Sequence, residues 1–171
     1  MKSRILMFII AFAVWCILCW KPDTEHLIAG GVVSLIVAAV MGSTFVTRPH
    51  LMIHPVRVFY FLFWYVPVFV WELLKANFDV AYRVVHPDLP IKPGIVRLKT
   101  ELKSDTGLTF LANSITLTPG TLTIDINKDA GILYIHWINV VGSDPATTFK
   151  EIGSRFEPIL KKIFEEDVVS K

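Results

Sequence analysis

Leu111-Ala-Asn-Ser-Ile-Thr-Leu-Thr-Pro-Gly-Thr121 carries an apolar run into a turn, and the elements on both sides can be read outward from it. Pro119-Gly120 suits the central positions of a type II turn: proline pre-sets φ at the first and glycine takes positive φ at the second. Ser104-Asp105-Thr106-Gly107 offers helix-capping side chains ahead of a short apolar turn from Leu108 to Ile115. Past the turn, Leu122, Ile124 and Ile126 alternate with Thr121, Thr123 and Asp125, and a loop from Lys128 to Gly131 leads into Ile132–Val141, which predicts a hairpin. Before it, Val96, Leu98, Thr100 and Leu102 alternate with Arg97, Lys99, Glu101 and Lys103, a strand with one wet face. Asp144-Pro145 supplies an N-cap and a first-turn proline. Phe149, Ile152, Phe156, Leu160 and Ile163 then share one face of a last helix that Pro158 kinks or divides. The order is β-α-β-β-α, a small α+β domain over residues 87–171. The prolines at 87, 90 and 93 separate it from what precedes.

Residues 1–86 are of another kind. They hold seven Lys/Arg and four Asp/Glu scattered between long apolar runs, whereas residues 87–171 hold ten and eleven in an ordinary globular mixture. A mean hydropathy of +0.54 is therefore the average of a membrane part and a near-neutral domain. The formal charge of +2 comes without a basic, aromatic-interleaved cluster, so nucleic acid is not a partner. Ile5–Trp20 follows Lys2 and Arg4 like a signal peptide. It ends in Cys19-Trp20-Lys21-Pro22 with no small-residue cleavage site, and reads as an uncleaved, rather short helix. Leu27–Val46 is long enough to span, with Gly30, Ser34, Ala38 and Gly42 at four-residue spacing, a face that admits close approach of another helix. Val56–Trp71 is strongly aromatic and interrupted by Arg57 and Pro67. Glu72, Lys75, Asp79, Arg83 and His86 then form a polar stripe whose opposite charges can pair along one helical face. Lys2, Arg4, Arg48 and Arg57 argue for an inside N-terminus, and the sequence leaves two or three spans open.

Candidate chemistry is thin. Cys16 and Cys19 lie inside an apolar helix without nearby ligands, and His50 and His54 are separated from any helix by Pro49 and Pro55, so neither pair predicts a metal. His136, in a strand beside Trp137, is expected half-buried. Ser114, Thr116 and Thr118 have no glycine-rich phosphate loop with them and read as turn and cap hydroxyls. Glu72 adjoins an apolar run without a break and is the candidate ion-pathway carboxylate, but Lys75 one turn on makes interfacial ion pairing the expected role. No catalytic, cofactor-binding or metal-binding residue is read.

Pro93-Gly-Ile-Val-Arg-Leu-Lys-Thr-Glu-Leu-Lys103, the run Leu111–Thr121 and Ile132-Leu-Tyr-Ile-His-Trp137, with apolar helices before Pro22 and after His26, resemble the E subunit of the Mrp-type cation/proton antiporters. The resemblance covers nearly the whole chain. Its motif positions are Leu111, Ala112, Asn113, Ser114, Thr116, Thr118, Pro119, Gly120 and Thr121, to which a structural role is assigned. It implies a multi-pass accessory subunit with a cytoplasmic domain, partnered by the bilayer and by the other membrane subunits of a sodium/proton antiporter. Related E-type subunits occur in membrane-bound hydrogenases and sulfane reductases. The absence of Gln, with only four Asn and many Ile, leans toward a thermophile and thus toward the respiratory type. The competing expectation is an independent small membrane protein with a ligand-sensing domain.

Overall fold

The computed structural model describes residues 2–20, 23–45 and 54–165. Packing divides the chain between His54 and Pro55 into two compact units. Arg48 and His50 lie outside the described residues.

The first unit is a helical hairpin of α1 (Lys2–Cys19) and α2 (Thr24–Phe45). Gly30, Ser34, Ala38 and Gly42 are all buried, and the glycines show what they face. A Cβ on Gly30 would collide with the Trp15 ring, and one on Gly42 would lie 2.9 Å from the Arg4 backbone. The small-residue face thus lets α1 and α2 approach closely. Trp15 donates its ring N–H to the His26 carbonyl at 2.9 Å, which closes the hairpin at its connected end. At that end the Asp23 carboxyl lies below its usual range, because the His26 backbone and then its side chain donate to it. Cys16 and Cys19 are half-buried free thiols.

The second unit begins with α3 (Pro55–Val85), a continuous helix of 31 residues. Pro67 does not break it. A π-turn at Phe61–Tyr65, in which the Val66 N–H reaches the Phe61 carbonyl, gives the proline ring room one turn earlier. Then follow β1 (Gly94–Lys99), α4 (Asp105–Leu117), β2 (Thr121–Asn127), β3 (Ile132–Trp137), α5 (Pro145–Thr148, continuing as a π-turn through Gly153) and α6 (Glu157–Phe164). The expected β-α-β-β-α order holds. The predicted apolar turn after Gly107 is a full helix, capped by the Ser104 hydroxyl accepting from the Gly107 N–H at 3.1 Å. The predicted last helix is divided ahead of Glu157, and Pro158 lies in the first turn of α6. Asp144 caps α5 by accepting from the Thr147 N–H at 2.8 Å. That bond holds its carboxyl below the usual range, so the cap's contribution is present at neutral pH and lost as pH falls through the lowered value.

The antiparallel sheet has the order β1-β3-β2. Val96, Leu98, Leu133 and Ile135 are buried from its inner face with Leu108, Leu111, Ile115, Ile152, Phe156, Leu160 and Ile163 from the helices. A bulge between Thr123 and Asp125 shifts the register of β2. Leu122 pairs with the exposed His136 on the outer face, and past the bulge Ile126 comes opposite the buried Leu133; Leu122, Ile124 and Ile126 are all exposed. His136 is exposed as well, not half-buried, because its register partners are Ile95 and Leu122 on the outer face of the sheet.

The boundary expected at 86/87 therefore does not coincide with the boundary of packing. The face of α3 at Arg57, Phe61, Tyr65, Phe69 and Glu72, spaced 4, 4, 4 and 3, contributes to the same unit as the sheet. Tyr65 belongs to the core itself, and Phe61 stacks edge-on against Phe110.

The close contact in the hairpin generates a paired test. Gly31 has no atom within 4 Å of an added Cβ, whereas Gly30 and Gly42 are in contact with α1. Overpacking of this kind costs about 1–3 kcal/mol. Gly30→Ala and Gly42→Ala should each lower the thermal midpoint of the detergent-solubilised protein, and Gly31→Ala should not. Equal tolerance at all three positions would show that close approach is not needed.

Candidate functional site

The polar groups of α3 are of two kinds: Arg57 and Glu72 are buried, while Lys75 and Asp79 are exposed. Arg57 is buried, and its guanidinium donates to the Ile163 carbonyl at 2.5 Å. Ile163 lies in the last turn of α6, where backbone carbonyls have no helical partner and the helix dipole favours a cation. Two turns along α3, the Tyr65 hydroxyl and the Ser114 hydroxyl of α4 bond at 2.8 Å. Two further turns on, Glu72 is buried and paired with Arg155, from the segment joining α5 to α6. This corrects the expected Glu72–Lys75 pair: Glu72 faces the domain, and its cation comes from 83 residues away. The stripe does pair internally at Asp79–Arg83, with bonds of 2.8 and 3.0 Å. Arg83 also donates to the Pro90 carbonyl at 2.5 Å, holding the connector against the helix. The approach continues to the Thr-Pro-Gly-Thr turn, where a Cβ on Gly120 would lie 3.5 Å from Val80. From Arg57 to Val80 the helix runs roughly 35 Å at 1.5 Å per residue.

The motif residues Leu111, Ala112, Asn113, Ser114, Thr116, Thr118, Pro119, Gly120 and Thr121 form the frame of this seat. Leu111 and Ala112 are buried and Asn113 is exposed. The Thr118 carbonyl accepts from the Thr121 N–H at 3.3 Å and Gly120 sits at φ +93°, the type II geometry read from Pro119-Gly120. The hydroxyls satisfy the end of α4. Ser114 donates to the Phe110 carbonyl at 2.6 Å, Thr118 to Ser114 at 2.6 Å and Thr121 to Ile115 at 2.6 Å, while Thr116 accepts from the Thr123 N–H at 3.1 Å. Thr116, Thr118 and Thr121 serve as turn and cap groups, whereas Ser114, expected among them, lies within α4 and bonds one turn back and to Tyr65. A second buried carboxylate, Glu157, accepts from the Thr100 hydroxyl at 2.7 Å and the Glu101 N–H at 2.8 Å, pinning the end of β1 to α6. Outside it, the exposed Glu101 carboxyl is held below its usual range by a hydrogen bond from Lys161.

Arg57, Arg155 and Glu157 were not singled out from sequence as site residues. Arg57 and Glu72 carried a signal, being charged and on one helical face fifteen residues apart with Tyr65 between them. Arg155 carried none, because nothing local marks the surface cation that turns inward. A shallow groove between α3 and the turn is lined by Glu72, Lys75, Asp79, Arg83, Pro119 and Arg155. Glu72 and Arg155 pair across it, as Asp79 and Arg83 do along α3, and among the described residues no group of three or more His, Cys, Asp or Glu is placed to hold a metal.

A frame this extended along one chain bears comparison with relatives that share its full length. The family model described as MNHE, Na+/H+ ion antiporter subunit, matches residues 8–163. The chain belongs to the family of Na+/H+ antiporter E subunits. The E subunit of the Bacillus subtilis (strain 168) antiporter is 32% identical over 163 residues, which is 95% of this chain and 99% of that protein. The E subunit from Alkalihalophilus pseudofirmus is 39% identical over 98 residues, 57% of this chain and 61% of that one. A chain of the archaeal membrane-bound sulfane sulfur reductase, described as a respiratory membrane complex, is 42% identical with a TM-score of 0.81. It covers 96% of this family member and is itself covered completely. The two named antiporter subunits are transporter components, and the apolar helices of this family member accord with a membrane location.

The seat generates two predictions. Glu72 is buried but Arg155 is only half-buried, so removing the carboxylate leaves a partly solvated charge and costs less than the several kcal/mol of a fully buried pair. Glu72→Gln should therefore lower the thermal midpoint, and adding Arg155→Met should restore part of the loss. A double variant as unstable as the sum of the singles would show that Glu72 and Arg155 act independently. Gly120→Ala should cost about 1–3 kcal/mol for a non-glycine residue at positive φ, read as a lower urea midpoint. An unchanged midpoint would remove the conformational role of Gly120.

Proposed function

We propose that this subunit is a non-catalytic, architectural component of the cation-translocating module of a membrane-bound respiratory complex, with its α+β domain in the cytoplasm. What carries the reading is the 42% identity and TM-score of 0.81 to a sulfane reductase chain that is covered end to end. Identity to the full-length B. subtilis antiporter subunit is lower, at 32%. Its partners are then other membrane subunits of that complex, together with the lipid around α1 and α2.

The arrangement of charge supports an accessory role. Glu25, in the first turn of α2, is the sole acidic residue of the two hairpin helices. In α3, Glu72 is neutralised by Arg155 of its own chain. A carboxylate that relays cations must exchange its partner during transport, and one held by a folded domain is tied to stability instead. The cytoplasmic side is supported by charge near the membrane: Lys2 and Arg4 lie in the first turn of α1, Arg48 follows α2, and two crossings return the chain to the side of its N-terminus.

Purification of the tagged chain from native membranes in mild detergent tests the assignment. Antiporter-type membrane subunits should co-elute with redox subunits in one large particle. A complex holding antiporter subunits alone would overturn the respiratory assignment, and a small lone particle would overturn the architectural role altogether. In vesicles, Glu72→Gln should leave cation-dependent proton transport near wild type once normalised to intact complex. A collapse of normalised transport with the complex whole would place Glu72 in the ion pathway.

A further inference from the structure

α3 passes a length-and-composition test for a membrane span, but its packing argues for a different relation to the bilayer. One face is occupied by its own domain along most of its length, through Arg57, Tyr65, Glu72 and the approach of Val80 to Gly120. Another face is bare: Phe59, Phe63, Val70, Leu74, Phe78 and Val85 follow one another at helical spacing and all are exposed. Trp64, Trp71 and Tyr82 flank them, also more than half exposed. An aromatic side chain carries roughly 150–250 Å², so six of them mostly uncovered exceed the few hundred Å² of apolar patch that a soluble monomer leaves bare.

We propose that α3 does not cross the membrane but lies along its cytoplasmic surface, with this aromatic face seated in the lipid interface. The placement on the cytoplasmic side rests on the proposed function; the in-plane orientation does not. Three observations select lipid as the occupant. First, a crossing would carry the domain bound to α3 into hydrocarbon, including the Glu72–Arg155 pair and the exposed Asp79, where unsatisfied polar groups and charges are costly. Second, Pro55 is ten residues beyond Phe45, the end of α2, a reach of at most about 35 Å. A bare aromatic face so tethered to a membrane helix has a bilayer within range. Third, the face has the make-up of an interfacial helix, with Trp and Tyr at its margins and the exposed Lys75 beside Trp71 and Leu74. Its long stem can lie on the apolar surface while the ammonium reaches the headgroups.

The same helix thereby joins domain and bilayer: one face belongs to the folded core and the other to the lipid. The domain is held at a fixed height above the membrane by a 31-residue bar and not by a flexible tether.

Depth measurements on the full-length protein in lipid nanodiscs test this. With Cys16 and Cys19 replaced by alanine, spin labels are placed singly by Phe63→Cys, Leu74→Cys, Phe78→Cys and Val85→Cys, and by Arg97→Cys as an aqueous reference. These side chains are all exposed, so the labels remove no core packing. Relative accessibility to oxygen and to a water-soluble nickel chelate gives the depth of each label. The four α3 labels should report similar depths, about 5–10 Å below the headgroup boundary, while the reference stays in water. Depths that pass through the bilayer centre and emerge on the other side would make α3 a third span and overturn the proposal. So would four labels in water, or labels in the purified complex shielded from both reagents, the sign of a neighbouring subunit on that face.

Discussion

The architecture depends on the seating of a charged and aromatic helix face on an α+β core. An arginine, a tyrosine and a glutamate on one side of an otherwise apolar helix would each be expensive in hydrocarbon and unspecific in water. Here each has a partner at a different place in the domain: Arg57 at the end of α6, Tyr65 in the middle of α4 and Glu72 at the start of the α5–α6 connection. Three fixed points spread over fifteen residues leave a rigid helix little freedom to rotate or slide. The Thr-Pro-Gly-Thr turn extends the seat because Gly120 supplies positive φ and lies close to Ile138 and within reach of Val80.

The hairpin obeys a separate rule. In a bilayer, hydrophobic burial would not bring α1 and α2 together; close packing of small residues would. Gly30 and Gly42 are small where Trp15 and the Arg4 backbone come near, and the remaining faces are left apolar for lipid. The chain thus combines two kinds of stability: close helix packing in α1 and α2, and burial of an apolar core with paired charges from α3 to α6.

Much of this was legible from sequence wherever the deciding physics is local. The alternation of Val96 and Leu98, the caps at Ser104 and Asp144, the turn at Pro119-Gly120 and the small-residue face of α2 depend on neighbours within a few positions and stand as expected, although the strand ends at Lys99, short of Thr100 and Leu102. The alternation from Thr121 to Ile126 marks β2 of the expected hairpin, but nothing in it announces the bulge between Thr123 and Asp125. The pairing of Glu72 was misassigned because Lys75 was the nearest cation in sequence, while the one that reaches it belongs to Arg155. The prolines after His86 marked the end of a helix correctly, but an element's end is not a domain's end. The apolar character of Val56–Trp71 suits a core, a bilayer or both, and only the positions of Arg57, Tyr65 and Glu72 on one face distinguish these.

The central claim is that α3 and the sheet fold as one unit, and hydrogen exchange measured by mass spectrometry on the full-length protein in nanodiscs tests it directly. Leu98 is fully buried in β1, and its replacement by alanine costs about 2–5 kcal/mol in a packed core. In Leu98→Ala, amides of α3 should lose protection together with those of β1 and β3, while α1 and α2 stay protected. If α3 remained as protected as the hairpin while the sheet opened, it would be an independent membrane helix, and the single folding unit from Pro55 onward would not exist.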